Sequence, residues 1–198
     1  MKRWIGPLLV LVVAALLAHG LTLALGPGVI MDRAMAALEA RGVALHAFTT
    51  PQRVTPQTQS VVRSSPDLHY ALCRYDLTRP DGDGAGVITS LHLKLAAWPA
   101  YQSLSFFDAR TNNFATVRAT GKSIKVQLGS GPGQTGFLQP KFGYDPREDG
   151  PTLAIHTPTD TGVILIRRLA PSPEAFAKAV KASVGDACDF RIEPSKAY

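Results

Sequence analysis

The chain has 198 residues, a charged fraction of 18% and a formal charge of +6, a composition that fits one ordinary globular domain plus an anchor. The basic residues are scattered, with no dense Lys/Arg block after Met1-Lys2-Arg3. That excludes a nucleic-acid surface, which needs clustered charge, and leaves anionic lipid head groups or acidic partners as the electrostatic match.

The first element is a hydrophobic helix. No charged residue occurs between Arg3 and Asp32, and Trp4 to Leu25 is apolar apart from His19 and Thr22. A helix of ~20 residues crosses a ~30 Å hydrocarbon core, so this run can contact membrane lipid along its length. Pro7 sits in the first turn, where a missing N–H costs little. Lys2 and Arg3 precede the span, which predicts a cytoplasmic N-terminus and an outward-facing body. Two readings stay open: a retained single-pass anchor, or a signal peptide cleaved near Ala18-His19-Gly20 that releases the body into the same outer compartment. The length of the run favours the anchor. Residues 1–28 form the tip and span. Residues 29–63 form a juxtamembrane helix, patterned on Ile30, Met31, Ala34, Met35 and Leu38, and then an extended linker from Val43 to about Ser64.

Residues 64–198 read as a β-rich body. Leu68 to Cys73 alternates, as do Val87 to Leu95, Tyr101 to Asp108 and Ile124 to Leu128, and Phe114 to Val117 resumes extended structure after the Asn112-Asn113 turn. Asp81 to Gly84 is turn chemistry, and Gly129 to Gly150 reads as a long loop. Leu153 to His156 and Gly162 to Leu169 are late strands. The run Val163-Ile164-Leu165-Ile166 predicts a strand covered on both faces. Ser172 as N-cap, Pro173 and Glu174 open a helix with Phe176, Ala179, Val180 and Val184 on its buried stripe. The fold class expected is mainly β: a sandwich-like domain with one C-terminal helix, behind one transmembrane helix.

The two cysteines, Cys73 and Cys188, would meet an oxidising space in an outward-facing body and pair there; two buried free thiols are the alternative. Gly131 to Gly136 matches a dinucleotide pattern in form, but no helical pattern follows it, so no cofactor is expected. The histidines have no metal-ligand spacing and no metal site is expected; His69 and His92 could at most be neighbours across adjacent strands on an exposed face. No nucleophile elbow or paired acid and base is present in the pattern.

An ordered set of motifs carries a resemblance. Ser65-Pro66-Asp67-Leu68-His69-Tyr70 comes first, followed by Tyr75-Asp76-Leu77 and Tyr101 to Asp108. Asn112-Asn113-Phe114-Ala115 and then Thr157-Pro158-Thr159 with Arg167 complete it. From about Ser64 to Leu169 the chain resembles the bacterial family called domain of unknown function 1254, most of all its short membrane-anchored members, which also carry one early and one late Cys. The resemblance implies a β-sandwich-like fold and an envelope location, and no agreed reaction. It marks Asp67, Tyr70, Asp108, Asn113 and Arg167 as binding candidates. Ser65 and Leu68 depart from the longer members, which have Asn and Thr there. The reading that follows is a non-enzymatic binding or interaction module with an unknown protein or small-molecule partner. The alternatives are a hydrolase-like enzyme with a pocket around Asp67, Asp108 and Arg167, and a structural partner in a membrane complex through the span.

Overall fold

The computed structural model describes residues 2–53, 64–78, 87–130 and 152–194. The turn at Asp81 to Gly84 and the glycine-rich stretch from 131 to 150 lie outside the described residues.

Helix α1 runs from Ile5 to Ala40 without a break, through Pro27. The helix continues through Gly26-Pro27-Gly28, so the juxtamembrane helix is an extension of the apolar one. By length and composition α1 can cross a membrane. Residues 3–25 are all exposed, whereas Gly26 to Gly28, Met35 and Leu38 are half-buried and Met31 is buried. The helix thus changes partner along its length: its first part touches none of the body, and its last part lies against it.

The body is two four-stranded sheets. Strands β1 (Leu68–Asp76), β7 (Thr161–Leu169), β3 (Gln102–Asp108) and β4 (Asn113–Ala119) make one, in the order β1-β7-β3-β4, all antiparallel. Strands β6 (Thr152–Thr157), β5 (Ile124–Ser130), β2 (Val87–Leu95) and β8 (Ala187–Pro194) make the other, in the order β6-β5-β2-β8, with β5 and β6 parallel. The inward positions follow from strand parity. Ala71, Cys73 and Tyr75 of β1, Ile164 and Ile166 of β7, and Leu104 and Phe106 of β3 face Leu91, Leu93, Leu95, Val126, Leu128 and Ile155 of the second sheet in one continuous core. β7 lies between β1 and β3, the covered position that its apolar run predicts.

The two sheets are joined at one side. β1 and β8 are edge strands, and the Cys73–Cys188 disulfide links them. The segment after α1 closes the same side. Leu45 and Thr49 form bridges with Arg74 and Leu72, and His46 stacks on Phe190 with ring centroids 4.6 Å apart. Residues 43–50 therefore cover an edge that would otherwise offer unpaired backbone groups, rather than running free as a linker.

Helix α2 (Pro173–Ser183) caps one end of the sandwich. Ser172 is its N-cap, with its hydroxyl accepting from the Ala175 N–H at 3.1 Å. Its packed face is Ala175, Phe176, Ala179 and Ala182, against Trp98, Ala100 and Ala170. Val180 and Val184, expected on that stripe, are exposed. The alanines, having no bulk, let the helix approach closely, and this turns both valines outward.

Candidate functional site

At the end capped by α2, three neighbouring strands place His69, Arg168 and Gln102 in one row on the inward face of the first sheet. All three are fully buried. The turn after α2 supplies the charge partner. Asp186 meets the Arg168 guanidinium with two hydrogen bonds, at 2.6 and 2.7 Å, and neither side chain is exposed. The remaining donors are also used: Arg168 Nε reaches Gln102 Oε1 at 3.1 Å, the Gln102 amide donates to the Ala96 and Lys122 carbonyls, and Asp186 Oδ1 accepts from the Ala96 N–H at 2.9 Å. A buried ion pair is retained at acceptable cost only when its geometry and hydrogen bonds are this complete. His69 differs. Neither ring nitrogen has a hydrogen-bond partner among the described residues, and the ring leans on Phe176 at 5.2 Å. Burial lowers its pKa to about 4, aided by Arg168 and opposed by Asp186.

One residue over on each strand, the side chains reverse to the outward face. There Tyr70, Arg167, Ser103 and Arg118 form a second row across β1, β7, β3 and β4. Ser103 is fully buried, and among the described residues Arg167 and Arg118 pair with no carboxylate and the Ser103 Oγ has no hydrogen-bond partner. The Tyr70 hydroxyl accepts from the Ser65 N–H at 3.0 Å. Asp67 is nearby at the head of β1, exposed, with its carbonyl accepting from the Ala170 N–H.

The opposite end of the sandwich gathers the remaining motif residues. Asp108, 3% exposed, closes the turn into β4: its carboxylate accepts from the Arg110 and Asn112 N–H groups at 2.8 Å and from the Asn112 side chain at 2.9 Å. Thr111 takes the left-handed backbone there, with φ 67°. Asn113 is exposed and accepts from the Thr116 hydroxyl. Tyr75 crosses between the sheets to Thr157 Oγ1 at 2.9 Å and donates to the Phe107 carbonyl at 3.2 Å. Burial raises its pKa. A Cβ on Gly162 would collide with the Phe107 carbonyl oxygen and the Tyr75 hydroxyl, so this crossing requires glycine.

Asp67, Tyr70 and Arg167 therefore share one end, and Asp108 and Asn113 the other. Asp108 lies five residue steps along β3 from Ser103, roughly 17 Å. The five candidates do not converge on one cavity. Nor do His69 and His92: His69 is inside the first sheet and His92 is on β2 of the second. No group of three metal-ligating side chains occurs among the described residues. Sequence reasoning missed Arg168, Gln102 and Asp186. The signal available was parity: Ile164, Ile166 and Arg168 share a face.

The family model for proteins of unknown function, DUF1254, matches residues 46–188. The chain belongs to the DUF1254 family. The match begins inside the segment that closes the β1 edge and ends at the disulfide, so it covers the folded body rather than α1. Two solved structures are similar. One is the VPA0106 protein of Vibrio parahaemolyticus, at 10% identity and a TM-score of 0.53, covering 87% of this chain and 39% of the other. The second is an uncharacterised protein of Burkholderia cenocepacia, at 14% identity and a TM-score of 0.40, covering 91% and 42%. The DUF1254 chain thus spans about two fifths of the length of these proteins, and the likeness to the first is one of fold. No curated protein matches.

Proposed function

We propose that the chain is a non-enzymatic binding module of the bacterial envelope, tethered by one span to the inner membrane with its N-terminus cytoplasmic and its body periplasmic. The observation that carries this is α1. It holds an 18-residue window of mean hydropathy 2.5, none of it buried inside the body. An apolar surface of that size calls for a cover, and lipid supplies one while the helix satisfies its own backbone. Lys2 and Arg3 ahead of the span favour the cytoplasmic side for the N-terminus. The Cys73–Cys188 disulfide fits an oxidising compartment. Residues 1–28 make the tip and span with lipid contact from Trp4 to Leu25, residues 29–63 connect, and residues 64–198 are the binding body. The body is stitched to its connection from Val43 on. A hydrolase-like reading has less support, because Asp108 is an end-of-strand turn cap far from Asp67 and Arg167.

Fractionation tests the reading. The full-length chain, with Met1 intact, is expected in the inner-membrane pellet after carbonate washing, and protease added to spheroplasts is expected to digest its body. Full-length chain in the cytosol, or a body protected from outside protease, would overturn it. A soluble periplasmic chain beginning near Leu21 would replace the anchor with a signal peptide.

A further inference from the structure

The geometry points to an anion-binding site on the outward row of the first sheet, formed by Arg167, Ser103 and Arg118 with Tyr70 at its side, that takes a phosphate group, free or on a lipid head. This deepens the binding-module reading and rests on it only for the membrane setting. The row is set by register: Tyr70 faces Arg167, Arg167 faces Ser103, and Ser103 faces Arg118. Neighbouring strands are about 4.8 Å apart, so the two arginine backbones stand about 10 Å apart across β3. Their long side chains can close on one tetrahedral anion lying over Ser103.

Every polar group in the row can donate. Two guanidinium forks match the oxygens of a phosphate. The Ser103 hydroxyl is buried and has no partner among the described residues, a state that costs free energy unless something accepts its proton. The Tyr70 hydroxyl accepts from the Ser65 N–H, which leaves its own proton to give. The rows on either side carry no carboxylate: Leu72, Leu165, Ser105 and Thr116 on one side, Leu68, Leu169 and Tyr101 on the other. Glu39 is already spent on Arg74, at 3.2 Å, and Asp67 forms no ion pair among the described residues.

The surroundings favour a lipid phosphate over a free one. Tyr101 and Leu169 are each 40% exposed and flank the row on the same face, an aromatic and an aliphatic side chain beside cations, as at a membrane surface. α1 touches β7, the strand that carries Arg167. Met31, where the helix is buried against the body, is six residues beyond Leu25, about 9 Å of helix. The first sheet is thereby held within reach of the head groups.

The test uses the full oxidised chain in dodecyl maltoside micelles, which carry no phosphate. Inorganic phosphate is titrated against chloride at equal ionic strength, with amide hydrogen exchange of β3, β4 and β7 as readout. A second arm mixes phosphatidylglycerol into the micelles and adds no inorganic phosphate. Protection of residues around Ser103 is expected in both arms, with affinity for phosphate falling about tenfold for R167Q and further for R118Q/R167Q. Protection in the phosphatidylglycerol arm alone assigns the site to head groups, and in the phosphate arm alone to the free anion. No protection in either arm, or protection undiminished in R118Q/R167Q, would overturn the site. S103A is a second variant that leaves both arginines and the fold in place; it is expected to weaken phosphate severalfold. Loss of the site would leave the fractionation result, and so the anchored module, untouched.

Discussion

Acid should unfold this domain through His69. The ring is fully buried, with Arg168 and Asp186 the charged groups beside it and Phe176 of α2 against its face. An ordinary imidazole titrates at 6.5, and here burial first, then Arg168, lowers that to about 4. The unfolded chain therefore takes up its proton at a higher pH than the folded one. Stability from keeping this ring neutral is fully present above pH 6.5 and is lost as pH falls from 6.5 to about 4. The shift is about 2.5 units, which at 1.36 kcal/mol each amounts to about 3 kcal/mol. His69→Met has nearly the same volume and no proton to bind. Urea unfolding of both chains in neutral detergent, followed by Trp98 fluorescence at pH values from 7.5 to 4, isolates the contribution, since every other titrating group is common to the two. The wild type is expected to lose about 3 kcal/mol more than the variant across that range. At pH 7.5 the variant should be no less stable, because it relieves two unpartnered ring nitrogens. Parallel losses in the two proteins would refute the account of His69.

Adjacent arginines on β7 should behave oppositely. Arg168→Met leaves Asp186 buried without its partner and is expected to cost about 3–5 kcal/mol in the same unfolding assay, whereas Arg167→Met should change stability by no more than about 0.5 kcal/mol. Reduction of Cys73–Cys188, which closes a separation of 115 residues, should lower stability by about 5 kcal/mol on the chain-entropy relation; comparing denaturant midpoints with and without reductant measures it. Gly162→Ala should cost about 3 kcal/mol, read as a drop in melting temperature, because the Phe107 backbone and the Tyr75 ring both have to move.

Local pattern carried most of the fold. Period-2 alternation located β1, β2, β3 and β5, an apolar run located β7, and Ser172-Pro173-Glu174 located the start of α2. The strand β8 was equally legible, since Cys188, Phe190 and Ile192 alternate with Asp189 and Arg191, but its position directly after a helix disguised it. Long-range pairing was not legible. Nothing in the sequence near Arg168 names Asp186 or Gln102 as its partners, and these are 18 and 66 residues away. The apolar run from Val163 to Ile166 also erases the alternation that tells the two faces of β7 apart, because both faces of a central strand are covered. Arg167 drew attention as a binding candidate only through the family resemblance, and Arg168, outside that motif, did not. Val180 and Val184 failed for a related reason: hydrophobicity identified an apolar side, but the alanines set the contact.

The division of the family motifs between two ends of one sheet has a mechanical reading. At one end Asp108, Thr157, Thr159 and Tyr75 saturate one another and the backbone: Thr157 donates to the Thr159 carbonyl at 2.7 Å, and Thr159 receives the Ala109 N–H at 2.9 Å. Such a set leaves nothing over for a ligand and serves to lock the turns between sheets. At the other end Arg168, Gln102 and Asp186 saturate one another on the inward side, while the outward row, on the very next residues of β7 and β3, is not saturated. A rigid backbone fixed from the inside by Arg168, Gln102 and Asp186 is what two outward arginines need in order to stand ready at a constant separation. The inward ion pair and the outward cation row are then two faces of one device, so R168M should degrade anion binding as well as stability, even though its side chain cannot touch the anion.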